Sequence, residues 1–146
     1  MSEKLLILTV GLPRSGKSTW AKAQECPVVN PDSIRLALHG QRFVAKAEPY
    51  VWAIARTMVE ALFLAGHDQV ILDACNISRS RRDEWVGNWH REFVFVNTPV
   101  SICLERADEE LKLVVNRMAG QYEPIWEDEG NVYIIDFHHS ESDIKL

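Results

Sequence analysis

A glycine-rich loop with a single lysine begins at Gly11. Gly11, Gly16, Lys17 and Ser18 fit the phosphate-loop pattern GxxxxGK(S/T) at every fixed position. Glycines let the backbone turn its N–H groups inward, as an anion-binding nest at the positive end of a helix. The pattern therefore predicts a loop that holds the β- and γ-phosphates of a nucleoside triphosphate, most simply ATP.

The residues of this loop have separate predicted tasks. Lys17 would reach the β- and γ-phosphates, and Ser18 would offer its hydroxyl to Mg²⁺. The predicted ATP-binding residues are Gly11, Pro13, Arg14, Ser15, Gly16, Lys17, Ser18 and Thr19. The alternative is a plain turn followed by a solvated lysine. The position of the motif, between an apolar run and a helical stretch, argues against that alternative.

A carboxylate and a guanidinium follow the second apolar run. Asp32 and Arg35, in the stretch NPDSIR, are three residues apart and so share one face of a helix. Asp32 could take the proton from an acceptor hydroxyl, and Arg35 could fix an acceptor phosphate through two hydrogen bonds. The alternative is that Asp32 caps its helix and Arg35 is a solvated ion-pair partner.

Further candidates follow the apolar run QVILD. Asp73 ends this run, a typical position for an acidic residue that acts on Mg²⁺ directly or through water, although it could also form a turn. Asn76 could orient Asp73 or contact the acceptor, and it could equally just form the turn. Arg79, Arg81 and Arg82 begin the next polar stretch, and we expect at least one of them to face the cleft. Arg82 is the acceptor-binding candidate.

These side chains need a scaffold that brings them together. Short apolar runs predict strands at residues 4–10, 27–30, 69–73, 92–96 and 132–136. Periodicity and end signals predict helices at residues 17–25, 32–38, 49–66 and 80–89. Asp32 is the predicted N-cap of the second helix, and Gly40 its end. Residues 107–110, between two helical stretches, are the expected mobile element, and a polar tail follows from His138.

Strands that alternate with helices predict an α/β protein with a parallel sheet, right-handed crossovers and helices on both faces. Ligands of such sheets bind at the carboxyl ends of the strands, where every candidate above is expected to lie. A length of 146 residues fits one domain, over residues 1–146. We therefore expect a three-layer arrangement around five parallel strands.

Composition limits the partners and the location. The net charge of −5 argues against a broad nucleic-acid-coating surface and leaves room for a local basic cleft. Cys26, Cys75 and Cys103 are widely spaced and predict free thiols in a reducing compartment. The first apolar run is too short to span a bilayer. We expect a cytoplasmic protein, in the host cytoplasm if it is phage-encoded, without membrane contact or an obligate protein partner.

Three stretches carry a family resemblance. In this order and spacing, LILTVGLPRSGKSTWA, NPDSIR and VILDACNISRSRRDEW resemble the kinase domain of phage-type polynucleotide 5′-hydroxyl kinases and related small P-loop kinases. The resemblance covers roughly residues 4–136. It implies a P-loop NTPase fold of the nucleoside-kinase-like type with a short lid. It also implies ATP with Mg²⁺ as donor, and transfer of the γ-phosphoryl group to a hydroxyl.

The resemblance also assigns roles by position. It implies that Lys17 and Ser18 hold the donor phosphates and Mg²⁺, that Asp32 is the general base, and that Arg35 binds the acceptor phosphate. Arg106 falls where such enzymes begin an arginine-bearing lid over the donor.

The chain departs from this family at two places. Relatives often read Asp-x-Thr-Asn after the third strand, whereas Cys75 stands here in place of the threonine. Their lids commonly carry a second arginine about four residues after the first, but residues 107–110 read Ala-Asp-Glu-Glu. Arg106 or Arg117 would then stabilise the transition-state charge alone, or another arginine would swing in.

Several functions stay open. The first is transfer to a nucleic-acid hydroxyl, most simply the 5′-hydroxyl of DNA or RNA. The second is phosphorylation of 5-hydroxymethyluracil within DNA, as in phage DNA modification, with the base flipped out or met in a single strand. The others are a small-metabolite or nucleoside kinase and a non-catalytic nucleotide-binding module. The aromatic residues that could stack on bases, or belong to the core, are Trp20, Tyr50, Trp52, Trp85 and Trp89.

Overall fold

The computed structural model of the chain describes residues 3–40 and 43–136, and within them five strands form one sheet. The order is β2-β3-β1-β4-β5, and all four neighbouring pairs are parallel. The strands are β1 (Leu5–Val10), β2 (Val28–Val29), β3 (Gln69–Leu72), β4 (His90–Asn97) and β5 (Asn131–Asp136). All five predicted strands are therefore present, each within two residues of the expected bounds.

Six α-helices and one short 3-10 helix connect these strands in the described ranges. The helices are α1 (Lys17–Lys22), α2 (Pro31–His39), α3 (Glu48–Leu64), α4 (Arg79–Asp83), α5 (Val100–Arg106) and α6 (Glu109–Gln121), and the 3-10 helix is Ala45–Ala47. No helix within the described residues is long and apolar enough to cross a bilayer.

The helices cover both faces of the sheet, because the central strands are apolar on both sides. Helix α3 packs on one face through its buried stripe of Val51, Ala55, Val59 and Phe63. Helix α1 covers the other face with Trp20 and its neighbours. Each fully buried valine or phenylalanine side chain contributes about 1.5–3 kcal/mol. The predicted three-layer α/β arrangement is confirmed.

The start of α2 differs from the prediction. Asn30, not Asp32, is the N-cap, and its side chain accepts a hydrogen bond from the Asp32 N–H at 2.8 Å. Pro31 explains the shift, because a proline favours the first helical position and holds the preceding residue in extended conformation. The expected end of the helix is confirmed, since Gly40 has a left-handed φ of 67°. The Asp32 carboxylate is therefore not used as the cap.

Helix α4 is shorter than expected and ends at Asp83. Beyond it, the Trp89 ring lies over Gly87, where an added Cβ would come within 2.5 Å of the ring. The Trp89 Nε1–H donates to the Trp85 carbonyl at 2.8 Å, and the ring stacks on Phe63. Trp85 and Trp89 thus help to build the core. Because the helix ends at Asp83, the prediction of a helix to residue 89 is wrong.

A capped corner joins α5 to α6, where residues 107–110 were expected to be mobile. Asp108 accepts a hydrogen bond from the Leu111 N–H at 2.8 Å and so caps α6. Ala107 is buried with Cys103 and Val115 in a small apolar cluster. The corner is therefore capped and packed, and the mobility of residues 107–110 stays a prediction. The polar tail expected from His138 onward lies outside the described residues.

Candidate functional site

The glycine-rich loop lies between the carboxyl end of β1 and the first residue of α1. Gly16 is the residue before α1 and has a φ of 108°, and Arg14 also has a positive φ, of 68°. At Gly11, a Cβ would lie 2.8 Å from the Ser15 hydroxyl and 3.1 Å from the Val96 carbonyl. The tight curve of the loop therefore depends on glycine at these two motif positions.

Lys17 lies inside the curve of this loop. Its Nζ donates to the Leu12 carbonyl at 2.6 Å and lies 3.4 Å from the Ser15 hydroxyl, and the residue is buried. An ammonium has three donors, so the lysine can hold the loop and still bind phosphate oxygens.

Three elements meet at Asp73, directly after β3. Its Oδ2 accepts hydrogen bonds from the Ser18 hydroxyl at 2.7 Å and from Asn30 Nδ2 at 3.1 Å. The Thr9 hydroxyl lies 3.5 Å from Oδ1 and donates to the Ala74 carbonyl at 2.8 Å. Asp73 is buried. The parallel pairing of β1 with β3 brings the serine and the aspartate together, 55 residues apart in the chain.

The donor set at Asp73 fits Mg²⁺. This ion usually binds proteins through one or two oxygen ligands and completes its shell with water and substrate phosphates. Ser18 and Asp73 offer such a pair at the mouth of the loop. Within the described residues, no group of three His, Cys, Asp or Glu side chains could hold a metal on its own. The two residues would therefore hold the ion together with the triphosphate.

Asp32 and Arg35 form an ion pair at the start of α2. Arg35 Nη1 lies 2.7 Å from Asp32 Oδ1, and the same guanidinium binds Glu48 through Nε at 2.9 Å and Nη2 at 2.7 Å. The Asp32 side chain is 66% exposed, whereas that of Arg35 is 14% exposed. A fixed cation thus lies beside an accessible carboxylate.

Glu48, the first residue of α3, was not singled out from the sequence. The hydrogen bond from Arg35 is the main reason why the pKa of Glu48 lies below its usual value of 4.5, with smaller contributions from Trp52 and Arg81. Burial lowers the pKa of Arg35, but the bonds to Glu48 and Asp32 outweigh it and the pKa is raised. Both partners therefore stay charged near neutral pH.

The other two acceptor candidates lie in the interior. Arg82 is fully buried, where it binds both carboxylate oxygens of Glu129 and the carbonyls of Asn76 and Pro124. Asn76 is also buried, with a φ of 47°, and its Nδ2 donates to the Thr9 carbonyl at 2.8 Å. These contacts hold the loop after β3, so the structure does not bring Arg82 or Asn76 together with Asp32 and Arg35.

The lid candidate Arg106 touches the phosphate loop. As the last residue of α5, it donates from Nη1 to the Arg14 carbonyl at 3.1 Å. The Thr98 hydroxyl donates to the Ser15 carbonyl at 2.6 Å. The segment after β4 thus packs on the loop and brings one arginine to its edge.

The three cysteines are free thiols, as expected. Burial raises the pKa of Cys26 and of Cys103.

The sequence matches the AAA domain family over residues 6–110. No curated protein matches the chain. Among solved structures, one chain of the Pnkp1/Rnl/Hen1 RNA repair complex superposes with a TM-score of 0.69 at 22% identity, over 83% of this chain and 44% of that one. A second structure of the Pnkp1/Rnl/Hen1 complex gives a TM-score of 0.64 at 28% identity, over 74% and 40%.

A sugar kinase from Janibacter sp. HTCC2649 has the same fold, with a TM-score of 0.63 at 17% identity, over 99% of this chain and 90% of that one. This chain spans less than half of the length of the two matched chains from the complexes. The comparisons confirm the expected P-loop kinase fold and the resemblance to polynucleotide kinases and related small P-loop kinases.

Proposed function

Since the chain belongs to the AAA domain family and has the P-loop kinase fold, we propose that it moves the γ-phosphoryl group of ATP to a hydroxyl of a nucleic acid. The acceptor is most simply the 5′-hydroxyl of DNA or RNA. The proposed location is the cytoplasm, in agreement with the three free thiols.

The observation that supports this proposal most is the double role of Asn30. Its Oδ1 caps α2 through the Asp32 N–H, while its Nδ2 donates to Asp73 at 3.1 Å. One side chain therefore connects the start of the Asp32–Arg35 helix to the carboxylate beside Ser18. An acceptor hydroxyl at Asp32 would lie next to the donor phosphates, as in-line transfer requires.

In the proposed reaction, each of these residues has its own task. Asp32 accepts the proton of the acceptor hydroxyl, whose oxygen forms a bond to the γ-phosphorus. The bond between that phosphorus and the β–γ bridging oxygen breaks, and ADP leaves. Lys17 and Arg106 stabilise the charge that develops on the transferred group, and Mg²⁺, when bound, supplies further charge neutralisation. Arg35 holds a phosphate of the acceptor strand.

A charged acceptor is compatible with the hydrogen bonds of Arg35. Glu48 and Asp32 occupy three of its five N–H donors, so two donors remain for a phosphate. A neutral sugar would need no such cation. The second candidate is nevertheless a sugar or other small metabolite, because the fold of the sugar kinase extends over nearly the whole of both chains.

The direct test uses γ-labelled ATP, Mg²⁺ and a panel of acceptors. The panel contains a 5′-hydroxyl oligonucleotide, the same strand with a 5′-phosphate, 5′-blocked DNA with hydroxymethyluracil, and free sugars and nucleosides. We expect label on the 5′-hydroxyl strand and none on its phosphorylated form. Label on the modified DNA would move the acceptor to the base, and label on sugars alone would support the second candidate. Absence of label throughout would contradict the proposal.

Replacement of the proposed base separates binding from transfer. Asp32→Asn keeps the size of the side chain and removes its basicity, so we expect transfer to fall by about 10²- to 10⁴-fold while ATP binding is kept. Asp68→Asn is the control. Asp68 is exposed and lies just before β3, at the amino ends of the strands, whereas Asp32 follows the carboxyl end of β2. Transfer at the wild-type rate in Asp32→Asn would show that Asp32 is not the base.

A further inference from the structure

Two arginines from different helices lie close to the indole ring of Trp52. The Arg35 Cζ lies 5.7 Å from the ring centroid, and the Arg81 Cζ lies 4.2 Å from it. Trp52 is half-buried, and its ring packs edge-on against Trp85, which is buried in the core. The indole is therefore a fixed support, and both guanidinium carbons lie within 5.7 Å of its ring centroid.

Arg81 differs from the other two arginines of α4, all of which are described. Arg79 pairs with Asp128, and Arg82 is buried against Glu129, so both connect α4 to the segment before β5. The Arg81 side chain is 36% exposed, and its ion-pair partner is Glu84, three residues further along the chain. Exposed pairs of this kind contribute little to stability, so an acceptor phosphate can replace the carboxylate at low cost.

We propose that Arg81 is a second acceptor-binding residue, which contacts the phosphate next to the one held by Arg35. This inference rests on the proposed function. The two cations would then bind consecutive phosphates of a single strand that passes along Trp52, with the first hydroxyl at Asp32. The site would therefore bind a strand with at least two phosphates more tightly than a mononucleotide with a single phosphate.

The first test measures binding without transfer. A 3′-labelled single-stranded oligonucleotide with a 5′-hydroxyl is titrated by fluorescence anisotropy at several salt concentrations. The logarithm of the affinity falls linearly with the logarithm of the salt concentration. For single strands, each phosphate contact makes this fall steeper by about 0.7. We expect Arg81→Ala to weaken binding by about tenfold at low salt and to reduce the slope by about 0.7, whereas Arg81→Lys keeps the slope.

Arg56→Ala is the matched control. Arg56 has the same side-chain exposure of 36%, lies 5.0 Å from the centroid of the Trp89 ring and pairs with Glu60. It sits further along α3 and holds the backbone of Glu84 through that residue's carbonyl, without contact to the Glu84 carboxylate. Its loss should lower stability and leave the salt slope unchanged. Glu84→Gln changes the site in the opposite direction. Removal of the carboxylate that competes with phosphate for Arg81 should strengthen strand binding by about two- to threefold.

The second test compares transfer to two acceptors, thymidine 3′-monophosphate and a 5′-hydroxyl dithymidylate that ends in a 3′-phosphate. In the wild type, we expect a lower KM for the acceptor with two phosphates. In Arg81→Ala the two KM values should become similar, with kcat little changed.

The outcomes separate the two proposals. Wild-type binding and salt slope in Arg81→Ala would overturn the role of Arg81, even if transfer to 5′-hydroxyls occurs. Strand binding that depends on Arg81 in a protein that transfers no phosphate would support this role and contradict the proposed function. A wild-type protein that binds no strand would overturn the inference.

Discussion

Asp32 and Arg35 are neighbours with opposite surroundings, and the difference suits two tasks. The Asp32 carboxylate is mostly exposed and bonds to one arginine nitrogen, so an acceptor hydroxyl can approach it. The Arg35 guanidinium is mostly covered, and Glu48 holds it through two parallel bonds. Bidentate pairs fix orientation as well as charge. Glu48 thus acts as a positioning residue for Arg35.

Glu48 should contribute to stability in a pH-dependent way. Its pKa is lowered in the folded chain, so the stabilisation is fully present above pH 4.5 and is lost as the pH falls through the lowered pKa. We expect Glu48→Gln to be less stable than the wild type near pH 7, with a difference that shrinks below pH 4.5. Urea unfolding from pH 7 to 3 measures this. Glu60→Gln, which removes an exposed pair with Arg56, is the control, and a constant wild-type advantage at every pH would contradict the expectation.

Sequence patterns could not reveal Glu48 or choose among the arginines of α4. Arg35 and Glu48 are 13 residues apart, and the packing of α2 on α3 brings them together. Arg81 and Arg82 are adjacent in the chain, and one is buried while the other is partly exposed. Which of the two side chains points into the interior depends on how α4 is rotated about its axis. A helix of five residues has too few turns for a periodic hydrophobic pattern that would predict this rotation.

At the scale of elements, strand ends and helix starts build the site. The run LLILTV predicts β1 because it is apolar on both faces, and the glycine motif predicts the following turn and helix. Helix α2 starts at Pro31, so the cap falls on Asn30, whose side chain also reaches Asp73. A sequence shows that Asn favours caps but not that its amide meets a carboxylate 43 residues away.

Substitutions of Asn30 separate its two contacts. Asn30→Ala removes the cap of α2 and one donor to Asp73, and we expect a loss of about 1 kcal/mol in the free energy of unfolding together with slower transfer. Asn30→Ser keeps a capping oxygen but is too short to reach Asp73, so stability should be nearly restored while transfer stays slow. Denaturant unfolding and initial rates measure the two effects. Wild-type transfer in both variants would show that the Asp73 contact has no role in positioning.

At the scale of the whole molecule, one segment joins the two halves of the chain. Residues 122–130 lie between α6 and β5, and α4 holds them through Arg79 and Arg82. The Arg82–Glu129 pair is fully buried at 2.8 Å. Burial raises the pKa of Glu129, but the bonds from Arg82 and the Trp126 N–H outweigh it, and the pKa is lowered. The carboxylate therefore stays charged in the interior.

The two ion pairs of this segment should differ greatly in their effect on stability. Glu129→Ala leaves Arg82 buried without its partner, and we expect the free energy of unfolding to fall by about 3–5 kcal/mol. Asp128→Ala removes the exposed pair with Arg79 and should change stability little. Denaturant unfolding of both variants measures the difference. Equal effects would contradict the structural role of the buried pair.

The contact between Ser18 and Asp73 has a consequence for the order of folding. The two residues are 55 positions apart, and the Thr9–Asp73 contact spans 64. Such distant contacts form only after β1 and β3 have paired, and non-local pairing is the slow part of folding. A partly folded chain therefore lacks the phosphate-binding site, and the proposed donor ATP would bind only the completed sheet. Ligand that binds the native state alone shifts the folding equilibrium by mass action, by about 2.7 kcal/mol at a hundred times its Kd. The cellular ATP pool would thus favour completed copies of this chain over unfinished ones.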